Sequence, residues 1–444
     1  MNITLSHSAN ADAPPLVIEK FEENATYRKV TLRLMPFLLL AYIFAYLDRI
    51  NVGFAKLHML SDLGFSNAIY GLGAGLFFIG YFFFEVPSNV LMHRIGARRT
   101  ISRIMILWGL ISAGMAFVET PMQFYIMRFC LGVAEAGFYP GILLYLTYWY
   151  PSARRAKAIA LFMLAIPLSG VFGGPLSGWL LGAMDGVGNM NGWQWMFIIE
   201  AVPSVLCGLA AFYFLDDRVK EAKWLTPRER QIIEHNLQDE QSHIQGHTGF
   251  GQVFKDVRVI RLAAICFCML LGQYALTFWL PTLIKQAGVE SALEIGMMTA
   301  IPFGVAATAM VLLSRSSDKL GERRYHLSCA LLLGSLGLVC SALFSNSLSL
   351  AMMSLTVAAA GILAATPVFW TLPSAILKGV SSAAGLALIC AFGNLAGFVS
   401  PYLIGWVKDL TQSTDAALFV LAAMLALGAL IVLTMPKTAR QRQP

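Results

Sequence analysis

Charge is scarce in this chain. Only 13% of its 444 residues are Asp, Glu, Lys or Arg, while 57% are hydrophobic. Soluble domains carry roughly 25% charged residues. With a mean hydropathy of +0.66, the deficit excludes an ordinary soluble domain and leaves a polytopic membrane protein. Catalytic motifs are missing too. No H-E-x-x-H or Walker A sequence occurs, and none of the seven histidines lies in the middle of an apolar run. A buried histidine base is therefore lacking, which argues against a membrane-embedded enzyme. Gly71-Leu-Gly73-Ala-Gly75 imitates a dinucleotide loop, but no strand precedes it and it sits inside an apolar run. Close helix packing is the better reading, there and at Gly170 to Gly178. All seven cysteines fall in apolar runs, so packed, reduced thiols are expected and no disulfide framework. The first 33 residues contain no apolar h-region or cleavage site. The first span is thus expected to serve as its own targeting segment.

What the chain has is long apolar runs. Runs of 18 or more residues read as transmembrane helices. Twelve are found, at about 32–56, 67–92, 100–118, 122–149, 156–184, 194–215, 259–285, 291–314, 327–345, 348–376, 380–407 and 415–435. The expected fold is an all-α membrane protein of two pseudo-symmetric six-helix bundles. Its parts are a cytoplasmic tail (1–30), an N-terminal bundle (31–216), a cytoplasmic linker (217–257), a C-terminal bundle (258–436) and a short tail (437–444). Within the linker, Thr226-Pro227-Arg228-Glu229 forms a capping box with Pro at the first helical position. It opens a helix expected through Leu237, followed by a flexible stretch from Gln238 to Gly249. Of the 32 Lys and Arg, 27 lie in the tails, the linker or alternate loops when both termini are placed inside. Lys56, Lys285 and Lys408 then fall outside. The positive-inside rule thus gives an N-in, C-in topology. It also accounts for the basic excess, so nucleic-acid binding is not expected; the lipid bilayer is the partner.

Two basic residues remain inside the membrane, Arg49 and Arg128. Arg49 belongs to Tyr46-Leu47-Asp48-Arg49-Ile50-Asn51, where an acid, a base and an amide interrupt a span. Charges at membrane depth are costly and mark cavities or ion paths. Neighbours on a helix point about 100° apart, so Asp48 and Arg49 are expected to serve separate faces. Span 4 carries the second cluster, Arg128 and Glu135, seven residues apart on one stripe. Ionised, Asp48 and Glu135 balance Arg49 and Arg128. Protonating both acids leaves two positive charges that favour an anion. Asp48 and Glu135 are therefore the candidate proton carriers. Arg49, with its bidentate fork, is the main anion anchor, and Arg128 joins the substrate site. Tyr81, Gln273, Tyr274, Trp370 and Asn394 are further candidates for lining it. Glu85, toward the cytoplasmic end of span 2, is read as structural or gating. Glu200, beside Trp193 and Trp195, is read as helix-end packing and hydrogen bonding.

An internal repeat supports two halves. Arg94-Ile-Gly96-Ala-Arg98-Arg99 after span 2 matches Lys319-Leu-Gly321-Glu-Arg323-Arg324 after span 8, at an offset of 225 residues. The same offset places Gln273-Tyr274 opposite Asp48-Arg49.

These features resemble the major facilitator superfamily, and within it the anion:cation symporter branch. The superfamily's loop signature G-x-x-x-D-R-x-G-R-R is matched in part, with Asn89, His93 and Ala97 departing from it. The second copy keeps its acid at Asp318, followed by Gly321 and Arg323. Tyr46 to Ala55, with Phe84-Glu85-Val86-Pro87-Ser88-Asn89, looks most like bacterial importers of tartrate, phthalate or 4-hydroxyphenylacetate. The resemblance implies that Asp48 and Glu135 are the protonated pair and that Arg49, Tyr81 and Trp370 belong to the substrate site. Arg94, Gly96, Arg98, Asp318, Gly321 and Arg323 take gating or structural roles. Two departures stand out. A site glutamine of span 5 is Ile166 here, and a site asparagine of span 11 falls near Cys390, with Asn394 one turn later. Both remove hydroxyl-recognising groups and tilt the expected substrate toward a smaller or aromatic carboxylate.

The resulting expectation is a transporter, not an enzyme. It imports a small organic anion with protons across a bacterial inner membrane, with no cofactor besides H+ and no requirement for an oligomer. An exchanger or uniporter on the same scaffold is the alternative, ahead of a membrane enzyme or an anion channel.

Overall fold

The structure is a computed structural model, and it describes residues 19–242, 256–376 and 380–435. The C-terminal tail, Lys378 and residues 243–249 of the stretch read as flexible lie outside these. All regular structure among the described residues is helical. Among the described residues, twelve helices are long and apolar enough to cross a membrane: Lys20–Leu63, Asn67–Ile95, Ala97–Phe117, Pro121–Thr147, Arg154–Ala183, Gly192–Phe214, Val257–Gln286, Ala292–Leu320, Arg324–Leu343, Leu348–Pro373, Leu388–Thr411 and Asp415–Thr434. They are spans 1 to 12.

Local chemistry explains the helix starts. Ser66 caps span 2 by accepting from the Ile69 N–H, and Thr120 with Gln123 forms a capping box ahead of span 4, with Pro121 in its first turn. Four boundaries differ from the sequence reading. Span 1 begins at Lys20, inside the segment read as tail, because its charged first turns find partners. Lys29 pairs with Glu229 (2.8 Å) and Glu22 with Arg228 (3.1 Å) on the linker helix, and Glu23 pairs with Arg154 (3.1 Å). The linker helix runs from Pro227 to Ser242, past the expected end at Leu237. Span 4 breaks after Glu135, and Gly137 turns the chain with φ of +89°. Span 5 is jointed at Leu164, between helices ending at Met163 and starting at Ala165.

Helix pairing recurs in the two halves. Span 1 packs on 5, span 2 on 4 and span 3 on 6; span 7 packs on 11, span 8 on 10 and span 9 on 12. The bundles meet through spans 2 and 11, 5 and 8, and 1 and 7. The first two seams lie at the end of the molecule that the basic residues mark as extracytoplasmic. There Gly174, Gly178 and Gly296 bring spans 5 and 8 into backbone contact: a Cβ on Gly296 would strike the carbonyl of Gly174 and one on Gly178 that of Ala292. Asp409 of span 11 accepts from the Asn67 and Ala68 N–H groups (3.1 and 2.7 Å) at the start of span 2. Tyr70 donates to the Phe278 carbonyl (3.0 Å), and Lys285 to that of Leu57 (3.2 Å). This side of the molecule is sealed.

Candidate functional site

A cavity lies between the bundles on the cytoplasmic side of that seal. Its wall includes Tyr42, Tyr46, Arg49, Phe78, Tyr81, Glu85, Tyr139, Met163, Ile166, Leu270, Gln273, Tyr274, Thr366, Trp370, Cys390 and Asn394. Helical periodicity explains the contribution of span 1. Tyr42, Tyr46 and Arg49 are spaced four and three apart and form one stripe. Asp48 is off that stripe, and the two adjacent charges face different surroundings.

Arg49 is 6% exposed and pairs with Glu135 of span 4. Its Nε and Nη2 both donate to Glu135 Oε1, at 2.9 and 2.5 Å. The guanidinium carbon lies 5.2 to 5.5 Å from the ring centres of Tyr46, Phe77 and Tyr81, within cation–π range. Arg49 lines the cavity whereas Glu135 is not among the wall residues, so the acid is held behind the base. Asp48 points into the N-terminal bundle. It accepts from Ser112 of span 3 (3.0 Å), Ser204 of span 6 (3.4 Å) and Asn51 (3.4 Å).

Arg128 does not reach the wall. It is 1% exposed, its Nη2 donates to the Ala74 carbonyl (3.4 Å), and its Nε has no acceptor. It also does not pair with Glu135, its neighbour on the stripe. Glu85, read as a gating residue, is in the wall and accepts from Asn394 of the opposite bundle (3.2 Å). Gln273 donates to the Tyr46 hydroxyl (2.6 Å) and accepts from Thr366 (3.4 Å), joining spans 7, 1 and 10. Both positions that depart from the resemblance, Ile166 and Cys390, line the cavity.

Tyr42, Tyr139 and Thr366 belong to the wall and were missed from sequence. Tyr42 and Tyr139 had a usable signal: each is one turn from a residue already singled out, Tyr46 and Glu135. Thr366 had none. Lys56, counted as an extracytoplasmic charge, is buried in the seal at 4% exposure. Its Nζ sits 2.9 Å from the Trp279 ring centre and 4.7 Å from that of Tyr70, with no hydrogen-bond acceptor.

The loop motifs sit at the cytoplasmic surface. Gly96 has φ of +91°, and the Arg98 N–H beyond it donates to Asp217 at the start of the linker (2.7 Å). Arg94 is exposed. In the second copy Gly321 has φ of +62°, and Arg323 pairs with Asp318 across it (2.9 Å). Both glycines adopt the left-handed region that side chains resist, which explains the repeated Gly.

Twelve membrane helices in two similarly paired bundles, with charged groups around a cavity between them, define a solute carrier. Residues 38–294 match the family model of the Major Facilitator Superfamily. The chain is 48% identical over 413 residues to a Pseudomonas putida protein named as metabolite transport protein NicT, covering 93% of this chain and 94% of that one. It is 46% identical over 419 residues to an Agrobacterium vitis protein named as a tartrate transporter, covering 94% and 92%. In fold it is similar to the xylose transporter XylE from Escherichia coli in a partially occluded inward-open conformation, with a TM-score of 0.75 at 16% identity over 92% of this chain and 99% of that one. The chain belongs to the Major Facilitator Superfamily and is a multi-pass membrane transporter.

Proposed function

We propose that this transporter is a proton-coupled symporter that imports a small organic anion, a carboxylate, across the bacterial inner membrane by alternating access. The observation that carries the reading is the Arg49–Glu135 pair at the cavity wall. An incoming carboxylate competes with Glu135 for the guanidinium. When it wins, Glu135 is left buried without its counter-charge and takes up a proton instead, because an unpaired carboxylate in a low dielectric favours its neutral form. Anion binding and protonation then occur together, and release of either favours release of the other. Asp48 is the second protonatable acid. Tyr46, Tyr81, Gln273, Tyr274, Trp370 and Asn394 orient the bound anion. The aromatic wall, with Ile166 and Cys390 in place of hydroxyl-recognising groups, supports a small or aromatic carboxylate. The tartrate and metabolite relatives support the organic-anion class.

The test is uptake of radiolabelled carboxylates into proteoliposomes under an imposed inward proton gradient. Saturable, gradient-dependent accumulation is expected. Glu135→Gln should abolish gradient-driven accumulation while retaining exchange of internal for external substrate. Accumulation without a gradient, or flux that does not saturate, would overturn the symport reading. Unchanged driven uptake in Glu135→Gln would remove Glu135 from it.

A further inference from the structure

The core of the N-terminal bundle holds two carboxylates that form no ion pair. Asp48 is 2% exposed and Glu200, on span 6, is 1% exposed. Arg49 turns the other way toward Glu135, and Arg128 toward the Ala74 carbonyl. The groups that hydrogen-bond the two acids are neutral: Ser112 and Ser204 donate to Asp48, Ser177 of span 5 donates to Glu200 Oε1 (2.7 Å), and the Asn51 side chain lies between them; the charged groups acting on Asp48 from span 4 are Glu135 and Arg128, of opposite sign. Leaving two bare carboxylates in such a place is strongly unfavourable.

The hydrogen-bond inventory shows what is missing. Asn51, with no exposed surface, donates through Nδ2 to Asp48, but its Oδ1 has no donor. Glu200 Oε2 also has no donor. Both orphans are acceptors, and buried acceptors require a donor. The indole N–H of Trp108, also without a partner, faces Asp48.

We infer that Glu200 is a proton-binding site: it holds a proton on Oε2 and donates it to Asn51 Oδ1, so that one hydrogen satisfies both orphans and removes one of the two charges. A sodium ion would draw on the same two free oxygens, and the salt comparison below distinguishes it from a proton. With Glu200 neutral, Asp48 is the one acid of this cluster left to exchange protons during transport. That bearing on coupling rests on the symport reading; the protonated Glu200 itself does not.

Infrared spectroscopy of the full-length protein in liposomes tests the site without any flux measurement. At pH 7 the wild type should show the C=O band of a protonated carboxylic acid, shifted on exchange into heavy water. Glu200→Gln should lose that band and Asp48→Asn should keep it. Thermal melts separate folding from protonation. Gln can accept from Ser177 and donate to Asn51, so Glu200→Gln should melt near the wild type, whereas Glu200→Leu should melt lower. Absence of the band in wild-type protein, or its survival in Glu200→Gln, would overturn the assignment. So would stabilisation by sodium chloride over potassium chloride that vanishes in Glu200→Gln, since a metal cation would then hold the place of the proton. Failure of gradient-driven uptake alone would count against symport and leave this site standing.

Discussion

Replacing Gly296 by Ala should hold the extracytoplasmic side open. Gly296 lies in span 8 against Gly174 and Gly178 of span 5. An added Cβ would meet the Gly174 carbonyl oxygen, its carbonyl carbon at 3.0 Å and the Gly178 Cα at 3.2 Å. These are backbone atoms, so no side chain can swing away and the helices themselves must part. Overpacking of this kind costs about 1–3 kcal/mol. The contact exists only with the bundles closed on this side, so the cost falls on that state alone. It should raise the open population by about 5- to 150-fold, at 1.4 kcal/mol per factor of ten. Thr282, buried in the same region with an unpartnered hydroxyl, offers a reporter as Thr282→Cys. The rate of its reaction with an impermeant maleimide added from outside should rise by that factor in Gly296→Ala. Gly182→Ala is the control, since nothing lies within 4 Å of a Cβ there. An unchanged rate in Gly296→Ala, or an equal rise in Gly182→Ala, would refute the reasoning.

Three further outcomes are expected. Arg49→Lys keeps the charge but loses the fork that reaches Glu135 through Nε and Nη2; substrate affinity, read by ligand-induced thermal shift, should fall about tenfold or more. Lys56→Met removes an ammonium that is buried without an acceptor and keeps its apolar stem against Trp279. Desolvation of the charge outweighs the cation–π attraction of about 2 kcal/mol, so the seal should tighten and Thr282→Cys labelling should slow. Glu229 is partly buried, which opposes its ionisation, but hydrogen bonds from Lys29 and Thr226 outweigh this and hold its carboxyl below the usual glutamate range. Its folded pKa is depressed, so its contribution to docking the linker helix is present above the ordinary value of about 4.3 and is lost as pH falls through the lowered one. Amide exchange over Pro227 to Ser242 should quicken in that acid window, and Glu229→Gln should shrink the difference across it.

Span number and the division into two bundles were readable because each needs only a count of apolar residues against bilayer thickness. The separate faces of Asp48 and Arg49 followed from helical geometry alone. Partner choice did not. Arg128 and Glu135 share a stripe, yet Glu135 pairs with Arg49 of span 1 and Arg128 turns to the Ala74 carbonyl of span 2, contacts that spacing along span 4 does not set. Glu85 was placed by its distance along span 2, which says nothing about Asn394 approaching from the other bundle. Lys56 was assigned to water by its position near a helix end, whereas Trp279, far away in sequence, covers it. Glu200 was read as helix-end packing and hydrogen bonding, and it does accept from Ser177, but nothing along span 6 announced its approach to Asp48 of span 1. In each case the periodicity within a helix was legible and the contact between helices was not.

Asp409 gives the seal a further property. The first turn of any helix has N–H groups that its own backbone cannot serve, and in span 2 two of these are served by a carboxylate from the opposite bundle, which also accepts from the Asn67 side chain (3.0 Å). When the bundles separate, water can take over every one of these bonds on both partners. Closing therefore exchanges hydrogen bonds rather than creating them, and each is worth far less than its strength in isolation. A joint made this way can be specific in position and still cheap to undo, so the energy to reset the carrier need only be a small fraction of what holds its helices together.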